Sequence, residues 1–148
     1  MALWRLVLTF IALSFAGFGF AFLSNPNEMA TMVSIVLPDA GGRTDFRAMY
    51  GGFEFGFGVF LFLCAFRREF VRVGLFAAAC ALVGMATARS MGLWLDGFDF
   101  LQFMLVLSEW AGGLLAAWGA LMAKPAPDTL PPPTEDPTPD HETFPPAA

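Results

Sequence analysis

A single all-α domain, a four-transmembrane-helix antiparallel bundle, is the fold this sequence predicts, and three observations predict it. The 148 residues are 57% hydrophobic and only 14% charged, well below the charged share of a typical soluble domain. The apolar residues gather into four runs, each near the roughly 20 residues that a helix needs to cross a bilayer core. Short connections between the runs carry the turn signals and most of the charges. A membrane-spanning barrel would require alternating polar residues, and the runs have none.

The first run, Leu6 to Leu23, contains no charge and predicts a span over about 4–23. Arg5 precedes it, and Gly19-Phe20-Ala21 loosely imitates a cleavage site. The run nevertheless exceeds the about 7 to 15 residues of a signal-peptide core, so it is expected to remain as a span. In the next stretch, Asn25 is placed to cap a helix, Pro26 suits its first position, and Glu28 follows in its first turn. These start signals predict a short interfacial helix after span one. Pro38, Gly41 and Gly42 are then expected to release the chain into span two.

Span two, 48–66, is apolar except for Glu54, and "RREFVR" at 67–72 turns the chain tightly into span three. Span three, 72–90, ends at Arg89. "WLDGFDF" brings an Asp96-Gly97 turn signal, and span four, 100–123, is interrupted only by Glu109. Residues 1–123 therefore form one four-helix domain. The segment 124–148 holds nine of the eleven prolines and lacks a periodic apolar face, which predicts a disordered Pro-rich tail.

Lysine and arginine set the orientation of membrane proteins. One side of the predicted bundle receives Arg5, Arg67, Arg68, Arg72 and Lys124, and the other receives Arg43, Arg47 and Arg89. Both termini are accordingly expected in the cytoplasm. The formal net charge of −5 is concentrated in the tail, whose one Lys and five acids supply −4. No basic patch offers itself to nucleic acid. The sole histidine, His141, lies in the tail, and Cys64 and Cys80 sit in apolar runs without CxxC spacing. No metal site and no catalytic residue is expected, and both cysteines read as small buried apolar groups.

Lipid gives helices no hydrophobic reason to associate, so small residues must let backbones approach. Gly51, Gly52, Gly56 and Gly58 offer this in span two, Gly74 and Gly84 in span three, and Gly112 and Gly113 in span four.

Charge inside hydrocarbon is costly, about 2.5–3.5 kcal/mol at mid-helix on insertion scales. Glu54 and Glu109 therefore call for partners. At 1.5 Å per residue, Glu54 lies roughly 9 Å and Glu109 roughly 13 Å below the same membrane face, the face at which Arg89 ends span three. Side chains lean toward the N-terminus of their helix, so the two carboxylates and the guanidinium converge in the outer half of the bundle. Arg47 lies seven residues before Glu54, on the same face of a regular helix, with Tyr50 between them; Asp45, Asp96 and Asp99 can form a rim. Two readings of this cluster stand. Either the charges neutralise one another and fix helix register, or they line a pocket for a small apolar or amphipathic ligand, a lipid head group or a proton.

The stretch "TDFRAMYGGFEFGFGVFLF", with Arg89 in "ATAR", Asp96-Gly97 and Glu109, resembles a family of small bacterial four-helix membrane proteins catalogued as a domain of unknown function. Its pattern opens the second span with R-x-x-Y-G-G, ends the third with an arginine and places a glutamate in the fourth. The matching positions are Arg47, Tyr50, Gly51, Gly52, Arg89 and Glu109. The architecture is also similar to DoxX-like membrane proteins. The resemblance implies a multi-pass protein of the bacterial inner membrane, with the lipid bilayer as its surroundings, and implies no activity or cofactor. A non-catalytic role is expected, in binding a small ligand or serving a membrane partner protein. The alternative is a proton-coupled carrier or membrane-embedded enzyme using Glu54 and Glu109.

Overall fold

A computed structural model describes residues 2–123; the expected tail, 124–148, lies outside the described residues. Among the described residues every regular element is a helix: α1 (Ala2–Ser24), α2 (Pro26–Met32), α3 (Ala40–Phe66), α4 (Val71–Leu95) and α5 (Phe100–Met122). Four of these, α1, α3, α4 and α5, are long and apolar enough to cross a membrane. Their alternation places the start of α1 and the end of α5 at one end of the bundle. The turn between α3 and α4, with its arginines, lies at that same end.

The terminal signals act locally. Pro26 opens α2 as expected, although the Asn25 side chain makes no capping bond. Gly41 and Gly42 do not release the chain. Asp39 accepts a hydrogen bond from the Gly42 amide at 2.8 Å, which satisfies one of the free donors of a helix N-terminus. The helix consequently begins at Ala40, eight residues before the apolar run. The Asp96-Gly97 turn behaves as its residues dictate: Gly97 has φ +109°, open to glycine without steric cost.

Residues Arg47–Gly52 form a π-helical turn within α3. Such a turn bonds five residues ahead rather than four. It inserts about one extra residue, and so rotates whatever follows by roughly 100° relative to an unbroken α-helix.

The helices associate as two pairs, α1 with α3 and α4 with α5. The first pair meets backbone to backbone. A Cβ on Gly19 would fall on the backbone of Phe55, and one on Gly58 would fall on the Ala16 amide. Gly51 abuts Leu23 of α1. In the second pair Gly113 faces Val83, and Gly112 faces Leu82. Small residues therefore bring the helices together, but only in part at the expected positions. Gly56 and Gly84 have nothing within 4 Å of a built Cβ, and Gly52 meets only a carbonyl of its own helix. The spacing Gly52-xxx-Gly56 lies on a face that no neighbour covers. Gly58 and Gly74 do make close contacts, and so do Gly19 and Gly119, which the spacing does not single out.

One buried core joins the pairs, and it occupies the arginine-rich end. Leu8, Leu61, Val71 and Leu75 are fully buried there, with Ala116 and Ala120 of α5. A separate cluster of Phe22, Ala30 and Phe46 seals α2 onto α1 and α3 at the opposite end. Cys64 is buried, as expected, but Cys80 is exposed on the outer surface of α4, in a shallow apolar groove with Phe76 and Leu121.

Candidate functional site

The polar centre of the bundle lies at the end away from the arginine turn. Arg89, six residues before the end of α4, donates through Nε to Glu109 Oε1 of α5 at 2.9 Å. Its Nη1 donates to Gln102 Oε1, two turns earlier on α5, at 2.6 Å. One planar guanidinium thus grips two residues seven apart on one helix face, the fork geometry for which arginine is suited. Asp99 supports this arrangement by capping α5, its carboxylate accepting from the Gln102 amide at 2.8 Å. One residue further along both helices, Trp110 Nε1 donates to Ser90 Oγ at 3.3 Å. Ser90 in turn donates to the Ala86 carbonyl at 2.6 Å.

Glu109 is only 8% exposed. Its Oε1 is paired, whereas Oε2 is buried and has no hydrogen-bond partner. Glu54 of α3 is half-buried and within electrostatic range of both Arg89 and Glu109. The ion pairs among the described residues are Arg89–Glu109 and the surface pair Arg67–Glu69, so Glu54 belongs to neither. Among the described residues no group of three or more His, Cys, Asp or Glu could hold a metal ion.

Arg47 and Tyr50 face elsewhere. Arg47 Nε donates to the Leu23 carbonyl at the end of α1, at 3.2 Å. Tyr50 stacks on Phe46 with ring centroids 4.8 Å apart, and lies 5.7 Å from Phe22. The π-helical turn accounts for the separation. Seven residues would return Arg47 and Glu54 to one face of an α-helix, but the extra residue of the π turn swings them apart. Arg47 has a counterpart at the other end of the same pair: Arg5 of α1 donates through Nε to the Ala65 carbonyl of α3, at 2.9 Å. Each helix of the pair thus supplies an arginine to a C-terminal carbonyl of the other that has no partner within its own helix.

Of the expected rim, Asp99 is occupied as a helix cap. Asp96 ends α4, its amide bonded to the Gly92 carbonyl at 2.8 Å. Asp45 is exposed on the first turns of α3. Gln102, Ser90 and Trp110 join the site without being singled out by sequence. For Gln102 a signal existed: it is the only glutamine in the chain, and it stands seven residues before Glu109.

No curated protein and no solved structure matches this chain. A family model does match over residues 3–120, nearly the whole four-helix bundle including the Arg89–Glu109 pair, and the chain belongs to that family, DUF4345, a domain of unknown function.

Proposed function

We propose that this protein is a non-catalytic, multi-pass protein of a bacterial inner membrane that binds a small amphipathic molecule between its two helix pairs. The observation that carries this reading is the position of the core. Its buried residues join the pairs from the arginine turn only about as far as Phe15, Ala79 and Ala116. Beyond that level lie the half-buried Glu54 of one pair and the Arg89–Glu109 ion pair of the other, with Glu54 within electrostatic range of both partners. Apolar walls with a few convergent polar groups, between the helices of a bundle, make a preferred setting for small-molecule sites. Arg89, Glu109 and Gln102 form a fixed wall because they also lock α4 to α5. Glu54 is the wall's free opposite. The charge bias toward the arginine turn favours that end as cytoplasmic, and with that orientation the proposed site belongs to the outer leaflet.

Native mass spectrometry of the gently extracted protein tests the proposal. The wild-type chain should retain one small molecule per chain, and Glu54→Leu should lose it while remaining folded. Equal retention by both, or bare protein in both, would refute a site at Glu54. A stoichiometric protein partner in place of a small molecule would indicate an accessory subunit instead.

A further inference from the structure

At the arginine-rich end of the bundle, a groove of about 620 Å³ runs along the outer surface of α4 and α5. Small residues create it: Ala79 and Ala120 are buried at its floor, while the exposed Phe76 and Leu121 stand as its walls. Its lining carries one charge, that of Arg72 in the first turn of α4. From Arg72 to Val83, the limits of the groove along α4, the helix rises roughly 16 Å at 1.5 Å per residue. One leaflet supplies about half of the roughly 30 Å hydrocarbon core. The groove therefore has the length of one leaflet and carries its charge at that leaflet's polar edge.

Arg72 is exposed and belongs to neither of the ion pairs among the described residues. Nor does it serve its own helix, because a cation in the first turn opposes the helix dipole. Arg67 and Arg68, in the turn just before it, keep the local charge positive despite Glu69. We propose that the groove binds one anionic phospholipid, with the phosphate on Arg72 and an acyl chain lying along α4 between Phe76 and Leu121. A guanidinium meets phosphate oxygens with paired donors, and basic residues at a membrane surface attract anionic lipid. A zwitterionic lipid suits the groove less well, because its own cation would meet Arg67 and Arg68. A second copy of the chain also suits it less well. Copies inserted the same way up would set one arginine turn beside another.

The test uses the full chain in detergent, stripped of lipid and titrated at pH 7 with dioleoyl phosphatidylglycerol or dioleoyl phosphatidylcholine. Native mass spectrometry counts the bound lipid, and thermal unfolding gives the apparent affinity. Phosphatidylglycerol should be retained at one per chain and should raise the unfolding midpoint saturably. Phosphatidylcholine should bind at least tenfold more weakly. Arg72→Gln should remove that preference. Cys80→Trp, which fills the groove from an exposed position, should weaken phosphatidylglycerol binding at least fivefold. Arg68→Gln, in the neighbouring turn but outside the groove, should change the affinity less than twofold. Equal affinity for the two lipids would overturn the proposal. So would equal losses from Arg68→Gln and Arg72→Gln, which would show diffuse attraction to the turn in place of a site. Undiminished binding by Cys80→Trp would overturn it by taking the acyl chain out of the groove. A wild-type dimer that Cys80→Trp abolishes would give the groove to a second copy and overturn it as well.

Discussion

Arg89 is the residue on which the polar centre depends, because its two fixed bonds both cross from α4 to α5. Breaking a buried ion pair costs about 3–5 kcal/mol, most of it from the charge left behind. The Arg89 side chain is 31% exposed and that of Glu109 only 9%, so Arg89→Leu should cost about 2–3 kcal/mol, below the fully buried range. Adding Glu109→Gln should recover much of the loss, because the stranded charge disappears. Adding Glu54→Gln as well should recover more, because the two acids then no longer face each other uncompensated. Unfolding in detergent of the single, double and triple variants measures this. Strictly additive losses for Arg89 and Glu109 would contradict their contact. A third substitution without effect would take Glu54 out of the cluster.

At the scale of elements, the pairs are held by glycines where backbones touch rather than by any glycine pattern as such. Gly19 and Gly58 have no room for a Cβ, whereas Gly56 and Gly84 have open space. Gly19→Val and Gly58→Val should each cost at least the about 1–3 kcal/mol of an overpacked core, and should loosen α1 from α3. Gly56→Ala and Gly84→Ala should be neutral or slightly stabilising, since alanine is favoured over glycine in a helix by about 1 kcal/mol. Thermal unfolding of the four variants checks the contrast, and equal costs would place the α1–α3 crossing elsewhere. The same pair is clasped at its ends by Arg5 of α1, bonded to α3, and by Arg47 of α3, bonded to α1. With its π turn, α3 thus presents Arg47 to one neighbour and Glu54 to another.

At the scale of the molecule, four spans return the chain to the side on which it began, and the arginines decide which side that is. If the arginine turn faces the cytoplasm, an impermeant thiol reagent on intact cells should label a cysteine at Asn27 and leave one at Glu69 unmodified, each introduced singly with Cys64 and Cys80 replaced by alanine. Labelling at Glu69 alone would invert the orientation and move Glu54, Arg89 and Glu109 to the cytoplasmic leaflet. The proposed site would remain, because Glu54, Arg89 and Glu109 lie in the same half of the bundle in either orientation.

Much of this architecture is legible in the sequence because membrane insertion is a matter of length and composition. A run such as Leu6 to Leu23 has one low-energy conformation in hydrocarbon, a helix that satisfies its own backbone. The convergence of Arg89 and Glu109 follows from the same reasoning, since depth and side-chain lean depend only on chain position and direction. Rotation about the helix axis does not. Sequence alone assigned Arg47 and Tyr50 to the Glu54 face by counting seven residues of regular helix, and no local signal marks the π turn that separates them. It likewise favoured Gly52 and Gly56, because spacing identifies small residues but not the face that meets a neighbour. Tertiary packing decided those faces: the contacts of Gly19 with Phe55 and of Gly58 with Ala16 set how α3 is turned against α1, because only glycine lets the two backbones approach so closely.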